Sequence, residues 1–291
     1  MRIVMDFDGV FTDPSDEGSA CSKYFRNSIL DLGLKEFDLG TETQVDSWFG
    51  ELRARQASQP YHFGWRSEGR VSAFTFEDPF IRNIGLADFL DHLVKQGDPR
   101  AKNTLARLQK TQDTKSFGEL SERSFHKLTL KKRPDPAAKA WVSAALEKGH
   151  ELFIVSNSAT DKIEAFLNQN DFPSEKRPKV LGGAKKFGLG EKPNYITLSD
   201  GANGKIQVDS SRPTYEQYLL DIKPDAVIGD VFSLDLSLPI RLKREGKLEF
   251  KWGLFYKQRD YTPSSMIELV GSRDSKVKEV TLVRDWPKLD S

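Results

Sequence analysis

The chain has 291 residues, with 44 Lys plus Arg against 43 Asp plus Glu, and a formal charge of +1 at neutral pH. A length near twice the usual ~150-residue domain favours two modules, and the charge balance leaves no global electrostatic reason to bind nucleic acid or an anionic membrane. A lone Cys21, the absence of a signal-like or membrane-spanning apolar stretch and 30% charged residues make the reducing cytoplasm the expected compartment.

Arg2 to Met5 reads as a short buried strand that runs into the polar turn Asp6-Phe7-Asp8-Gly9. Residues 14–133 then mix charges and aromatics. Leu86, Phe89, Leu90 and Leu93 recur at helical spacing, and Phe63 to Phe76 allows a hairpin turning at Ser67-Glu68-Gly69. This stretch is expected to be a mostly helical module. From Ala137 the pattern becomes regular: a helix to Lys148 stopped by Gly149, an apolar strand at Leu152 to Val155, and an amphipathic helix from Thr160 to Asn170 capped by Thr160 or Ser158. Tyr195 to Leu198 and Lys205 to Val208 suggest a hairpin across Ser199 to Gly204. Arg212-Pro213 opens a helix, Ala226 to Ile228 is a further buried strand, and Gly253 to Tyr256 and Val277 to Val283 offer two more. Alternating strands and helices predict an α/β fold with a parallel sheet, made of residues 1–13 and 134–291, with 14–133 inserted as a mostly α-helical domain.

Reactive groups in such sheets collect at the carboxyl ends of the strands. Asp6 and Asp8, one residue apart at a strand tip, repel each other unless a divalent cation or a retained proton intervenes. Each is also an ordinary turn residue. Asp230 and Asp235 follow the strand at Ala226, and with the first pair they suit a hard ion such as Mg²⁺. Ser156 and Asn157 end the strand at Leu152 and lead into a helix, a place for phosphoryl oxygens or simply for a cap.

Taken together, Ile3-Val-Met-Asp-Phe-Asp-Gly-Val-Phe-Thr-Asp13, Phe153-Ile-Val-Ser-Asn157 and Val227-Ile-Gly-Asp-Val-Phe-Ser-Leu-Asp235 resemble, in order and strand context, the first, second and fourth motifs of the haloacid-dehalogenase-like (HAD) hydrolase superfamily. The resemblance implies a Rossmann-like core and Mg²⁺-dependent phosphoryl transfer from a small phosphomonoester through an aspartyl-phosphate. It makes Asp6 the nucleophile and Asp8 the general acid/base, with Ser156, Asn157 and Gly9 at the phosphoryl group. Asp6, Asp8 through its backbone carbonyl, Asp230 and Asp235 would form the metal site. An Asp at position 8 favours phosphomonoester hydrolysis or phosphomutase chemistry over dehalogenation, because an alkoxide leaving group needs a proton and a halide does not.

The third motif departs from the family pattern. Its lysine has two stand-ins here: Arg212 by its Arg-Pro context and Lys205 by its interval before Asp230, with Lys185 and Lys186 as lesser candidates. The inserted module sits where the superfamily places a cap, and its Arg53, Arg55, His62, Trp65, Arg66 and Arg70 could hold an anionic or ring-bearing leaving group. Two further readings stand beside the phosphatase: a phosphomutase, and a binding or regulatory module that kept the acidic pocket and lost turnover.

Overall fold

The computed structural model describes residues 1–36, 42–127, 132–172, 177–201, 204–273 and 275–289. Six strands form a parallel sheet: β1 (Arg2–Met5), β2 (Glu151–Val155), β3 (Lys179–Leu181), β4 (Ala226–Gly229), β5 (Gly253–Lys257) and β6 (Val280–Val283). Their spatial order is β3-β2-β1-β4-β5-β6, with Val4 of β1 opposite Phe153 on one side and Val227 on the other. That is the doubly wound, Rossmann-like order, in which the strand order reverses between β1 and β4 and opens a crevice at their carboxyl ends. The chain is therefore α/β as expected.

β1 lies at the centre because its alternate residues are apolar on both faces. Ile3 and Met5 pack with Phe7, Phe11 and the buried stripe Ile163, Phe166 and Leu167 of helix Thr160–Gln169. The Phe7 ring stands edge-on to Phe166 at 5.1 Å, and full burial of such a side chain contributes about 1.5–3 kcal/mol. β3 escaped the sequence reading because three residues behind Pro178 carry no periodicity. β6 begins later than expected, since the amide of Val277 donates to the Ser275 hydroxyl and the amide of Val280 to the Val277 carbonyl, closing a turn first. The antiparallel pair Tyr195–Gly201 and Gly204–Asp209 forms as expected, while Ala202 and Asn203 in its turn lie outside the described residues.

The chain divides into two compact units. One comprises Met1–Pro14, Arg66–Ala73 and Lys132–Ser291, the other Ser15–Trp65 and Phe74–Lys131. The second unit is helical, built from Ser15–Glu36, Glu42–Ala57, Pro79–Gln96, Pro99–Gln112 and Phe117–Lys127. Its core includes Phe25, Trp48, Phe49, Phe89, Leu90, Leu93 and Phe117. Asp78 starts helix Pro79–Gln96 by accepting from the amides of Phe80 and Ile81 at 2.6 and 2.9 Å, and Gly97 ends it at φ 88°. The predicted hairpin forms from Gly64–Ser67 and Arg70–Phe74. Glu68 and Gly69 both turn at positive φ, as a two-residue hairpin loop requires. Its residues Arg66–Ala73 group with the sheet unit. Among the described residues no helix is long and apolar enough to cross a membrane.

Candidate active site

The first carboxylate stands at the tip of the central strand. The Asp6 amide continues the ladder by donating to the Ile228 carbonyl at 3.0 Å, so its side chain leaves the sheet at the switch point. Gly9 (φ 81°) then reverses the chain. A Cβ at Gly9 would overlap the Asp230 carboxylate and the Tyr261 hydroxyl, so only glycine permits this close approach. On β4 the pattern Gly229-Asp230 has a similar reason: a Cβ at Gly229 would occupy the place of the Asp235 side chain. Asp235 reaches back because residues Phe232–Leu236 form a π-helical turn, a local widening often found at functional sites. Its Oδ2 accepts from the amides of Asp230 and Val231 at 3.2 and 3.0 Å.

Lys186 joins these strand ends. Its buried Nζ lies 2.7 Å from Asp6 Oδ1 and 2.8 Å from Asp235 Oδ1, above the Tyr215 ring at 5.1 Å. Burial works against this charge, but the Asp235 and Asp6 carboxylates outweigh it and raise the lysine pKa. Burial pushes the Asp6 carboxyl up to about 7; Lys186 opposes this, and the neighbouring Asp235 and Asp8 add to it. Among the described residues, carboxylate oxygens of Asp6, Asp230 and Asp235 lie within 4.8 Å of one another. Three hard oxygen donors crowded so closely, one of them held back from ionising, fit a hard divalent cation such as Mg²⁺.

Asp8 is set differently. It pairs with the Lys132 ammonium, and its Oδ2 accepts from the Ser158 hydroxyl at 2.7 Å. Burial acts to raise its pKa, yet Lys132 and the hydrogen bonds from Lys132 and Ser158 prevail and hold it below the usual carboxylate value.

No family model matches this chain, and no curated protein matches it in sequence. Solved structures do resemble it. A predicted phosphoglycolate phosphatase from Haemophilus somnus 129PT is 14% identical over 96% of this chain and 92% of its own, with a TM-score of 0.43. A haloacid dehalogenase-like family hydrolase from Xanthomonas campestris is 12% identical over 98% and 86%, with a TM-score of 0.41. A HAD-superfamily hydrolase from Ehrlichia chaffeensis is 12% identical over 90% and 89%, with a TM-score of 0.35.

Of the residues singled out from sequence, Asp6, Asp230 and Asp235 come together, and Asp8 stands beside them with its carboxylate turned to Lys132 and Ser158. Ser156 is buried, and its Oγ accepts from the Ser158 amide at 3.2 Å. Asn157 Oδ1 accepts from the Lys186 amide at 2.6 Å, so this side chain anchors the lysine loop. The expected cap of helix Thr160–Gln169 does not form. Its N-cap is Ala159, while Ser158 turns to Asp8 and the Thr160 hydroxyl accepts from the Gly182 amide.

The third-motif expectation requires correction: neither Arg212 nor Lys205 stands among the carboxylates. Arg212 is fully buried, and its guanidinium serves the carbonyls of Ser72, Asp209, Ser233 and Lys186 together with the Ser72 hydroxyl. It supports the backbone of the lysine that does reach the site. Lys205 is exposed on strand Gly204–Asp209. The lysine that reaches the carboxylates is Lys186, a lesser candidate from sequence. The available signal was the glycine-rich segment Gly182-Gly-Ala-Lys-Lys-Phe-Gly188, whose residues Gly183 and Lys185 take positive φ and redirect the loop. Lys132, Arg259 and Tyr261 carried no recognisable local pattern.

The arginines of the predicted insertion separate into distinct settings. Arg70 pairs with Asp209, Arg66 donates to the Gly69 carbonyl at 3.2 Å, and Arg55 lies over Phe89 at 5.4 Å. Arg53 lines a cavity of about 430 Å³ in the helical unit, together with Arg82, Ser19, Ser22 and Phe49.

Proposed function

We propose that this chain is a HAD-like, Mg²⁺-dependent phosphohydrolase that acts in the cytoplasm on a small soluble phosphomonoester, with the helical unit as its substrate-selecting cap. The observation that carries the reading is Lys186 bridging Asp6 and Asp235 beside Asp230, at the switch point of a Rossmann-like sheet. A lysine in that position supports turnover over a module that lost it. The near-neutral charge supports neither a nucleic-acid nor a membrane partner.

In this reading Asp6, Asp230, Asp235 and the Asp8 backbone carbonyl would hold the cation, which would supply positive charge to the phosphoryl oxygens. An Asp6 carboxylate oxygen attacks phosphorus, forming an O–P bond as the ester P–O bond breaks, and the departing alkoxide takes a proton from Asp8. Water then attacks the aspartyl-phosphate, gives its proton to Asp8 and releases phosphate with Asp6 regenerated. Lys186 neutralises the nucleophile in the free protein and is placed to follow its charge onto the phosphoryl group. The Lys132 and Ser158 contacts favour ionised Asp8 in the free protein, so the proton it gives in the first step is one it takes up from a monoanionic phosphoester on binding, and the second step returns a proton to it.

Phosphate release from a panel of phosphorylated metabolites and an aryl phosphate, with Mg²⁺ or with chelator, tests the reading. Asp6→Asn should lower Mg²⁺-dependent release by roughly 10³-fold or more, since the nucleophile is removed. Equal turnover in both proteins would sink it.

A further inference from the structure

The loop after β5, Gln258 to Pro263, touches both halves of the carboxylate site. It is tied down at each end. The Gln258 amide donates to the Val283 carbonyl at 2.7 Å, the Thr262 amide to the Arg259 carbonyl at 2.9 Å, and the Arg259 amide to the Thr262 hydroxyl at 2.8 Å. A turn closed in both directions presents its side chains from a fixed base.

Two of those side chains face the site. The Arg259 guanidinium donates through Nε to the Gly9 carbonyl, through Nη2 to the Val10 carbonyl at 3.1 Å and through Nη1 to Asp135 Oδ2 at 2.7 Å. It thereby holds the turn that carries Asp6 and Asp8. Two residues on, the buried Tyr261 hydroxyl donates to Asp230 Oδ2 at 2.6 Å. Gly9, where a Cβ would overlap both the Asp230 carboxylate and the Tyr261 hydroxyl, is the point at which these groups close on one another.

We propose that Arg259 and Tyr261 are positioning residues: one loop clamps the Asp6–Asp8 turn to Asp230 and sets the spacing of the cation site. This inference rests on the cation site of the phosphohydrolase reading. Tyr261 fixes the rotation of the Asp230 carboxylate by engaging one oxygen, as partners behind metal ligands do, and loss of such partners typically weakens metal binding 10–100-fold. Arg259 meets three acceptors with a rigid fork, which a lysine cannot reproduce.

Calorimetric titration of the full chain with Mg²⁺ alone, without substrate, tests the clamp. Tyr261→Phe keeps the ring in place and removes only the hydroxyl. Its Mg²⁺ dissociation constant should rise ~10-fold or more, with a metal-free Tm close to that of the wild type. Arg259→Lys keeps a charge for Asp135 and should also weaken Mg²⁺, which covers the case in which the tyrosine variant folds poorly. Wild-type binding matched within twofold by both variants would overturn the clamp and leave the cation site standing. No Mg²⁺ binding by the wild type would overturn both.

Discussion

Two buried lysines near the carboxyl edge of one sheet meet opposite electrostatic surroundings. Lys186 lies between Asp6 and Asp235, with Asp230 alongside, and its pKa is raised. Lys257, at the end of β5, shares Asp135 with Arg259. Burial, with the Arg259 charge adding to it, brings Lys257 down to about 8. Asp135 is saturated: its Oδ1 accepts from the Ala137 amide and the Trp286 indole at 3.0 and 3.1 Å, and its Oδ2 from Lys257 and Arg259 at 3.1 and 2.7 Å. The cluster around Lys257 has cations in excess and its acid fully engaged, as a structural lock does. The cluster around Lys186 has carboxylates in excess, which attracts a cation. The sign of the local imbalance, rather than burial or pairing as such, separates a site from a fastening.

The largest test of that contrast is Lys186→Met. It leaves Asp6 and Asp235 buried with their shared cation gone, an arrangement that costs about 3–5 kcal/mol when one partner of a buried pair is removed. Denaturation in chelator should show this loss, and Mg²⁺ should restore part of it. A variant as stable as the wild type in chelator would erase the claimed carboxylate excess.

Asp135→Asn probes the other cluster, with an expected loss of a few kcal/mol at neutral pH and little recovery on adding Mg²⁺. The sign of its pH dependence is fixed. Burial opposes ionisation of Asp135, but the Trp286 hydrogen bond and the Lys257 and Arg259 charges outweigh it and lower its pKa from 3.8 to about 2. The unfolded chain therefore binds more protons in that window, so this contribution is complete above pH 3.8 and is lost as pH falls towards 2. Lys257, lowered from 10.5 to about 8, makes stability rise with pH between those values. Chemical denaturation across pH should show both trends in the wild type and no acid-side loss from this group in the asparagine variant.

The smallest expected effect is that of Lys205→Ala. An exposed hairpin lysine should alter stability by no more than ~0.5 kcal/mol and leave phosphate release unchanged. A large loss of turnover would return Lys205 to the site and undo the contrast between the two clusters.

Much of this protein was legible from residues near one another in sequence. The apolar runs at Ile3, Leu152 and Ala226 each marked a central strand, and the polar residues after them marked the strand ends where Asp6, Ser156 and Asp230 stand. Glycines at 9 and 229 were visible as parts of a pattern, though their reason, room for Asp230, Tyr261 and Asp235, is a matter of space. Context and interval along the chain do not locate the lysine of the third motif. Arg212 drew attention by its Pro213 neighbour, and folding commits its guanidinium to backbone carbonyls, one of them that of Lys186.

The sequence by itself determined the three central strands, their polar tips and the α/β class, because side-chain periodicity and turn chemistry act over a few residues. Only the tertiary structure decided which ammonium meets Asp6, that Ser158 and Lys132 hold Asp8, and that Arg259 and Tyr261 reach back across the sheet edge. Those choices follow from loops whose ends are fixed by strand order. The same charged residue type becomes a fastening or a site according to what the fold places around it.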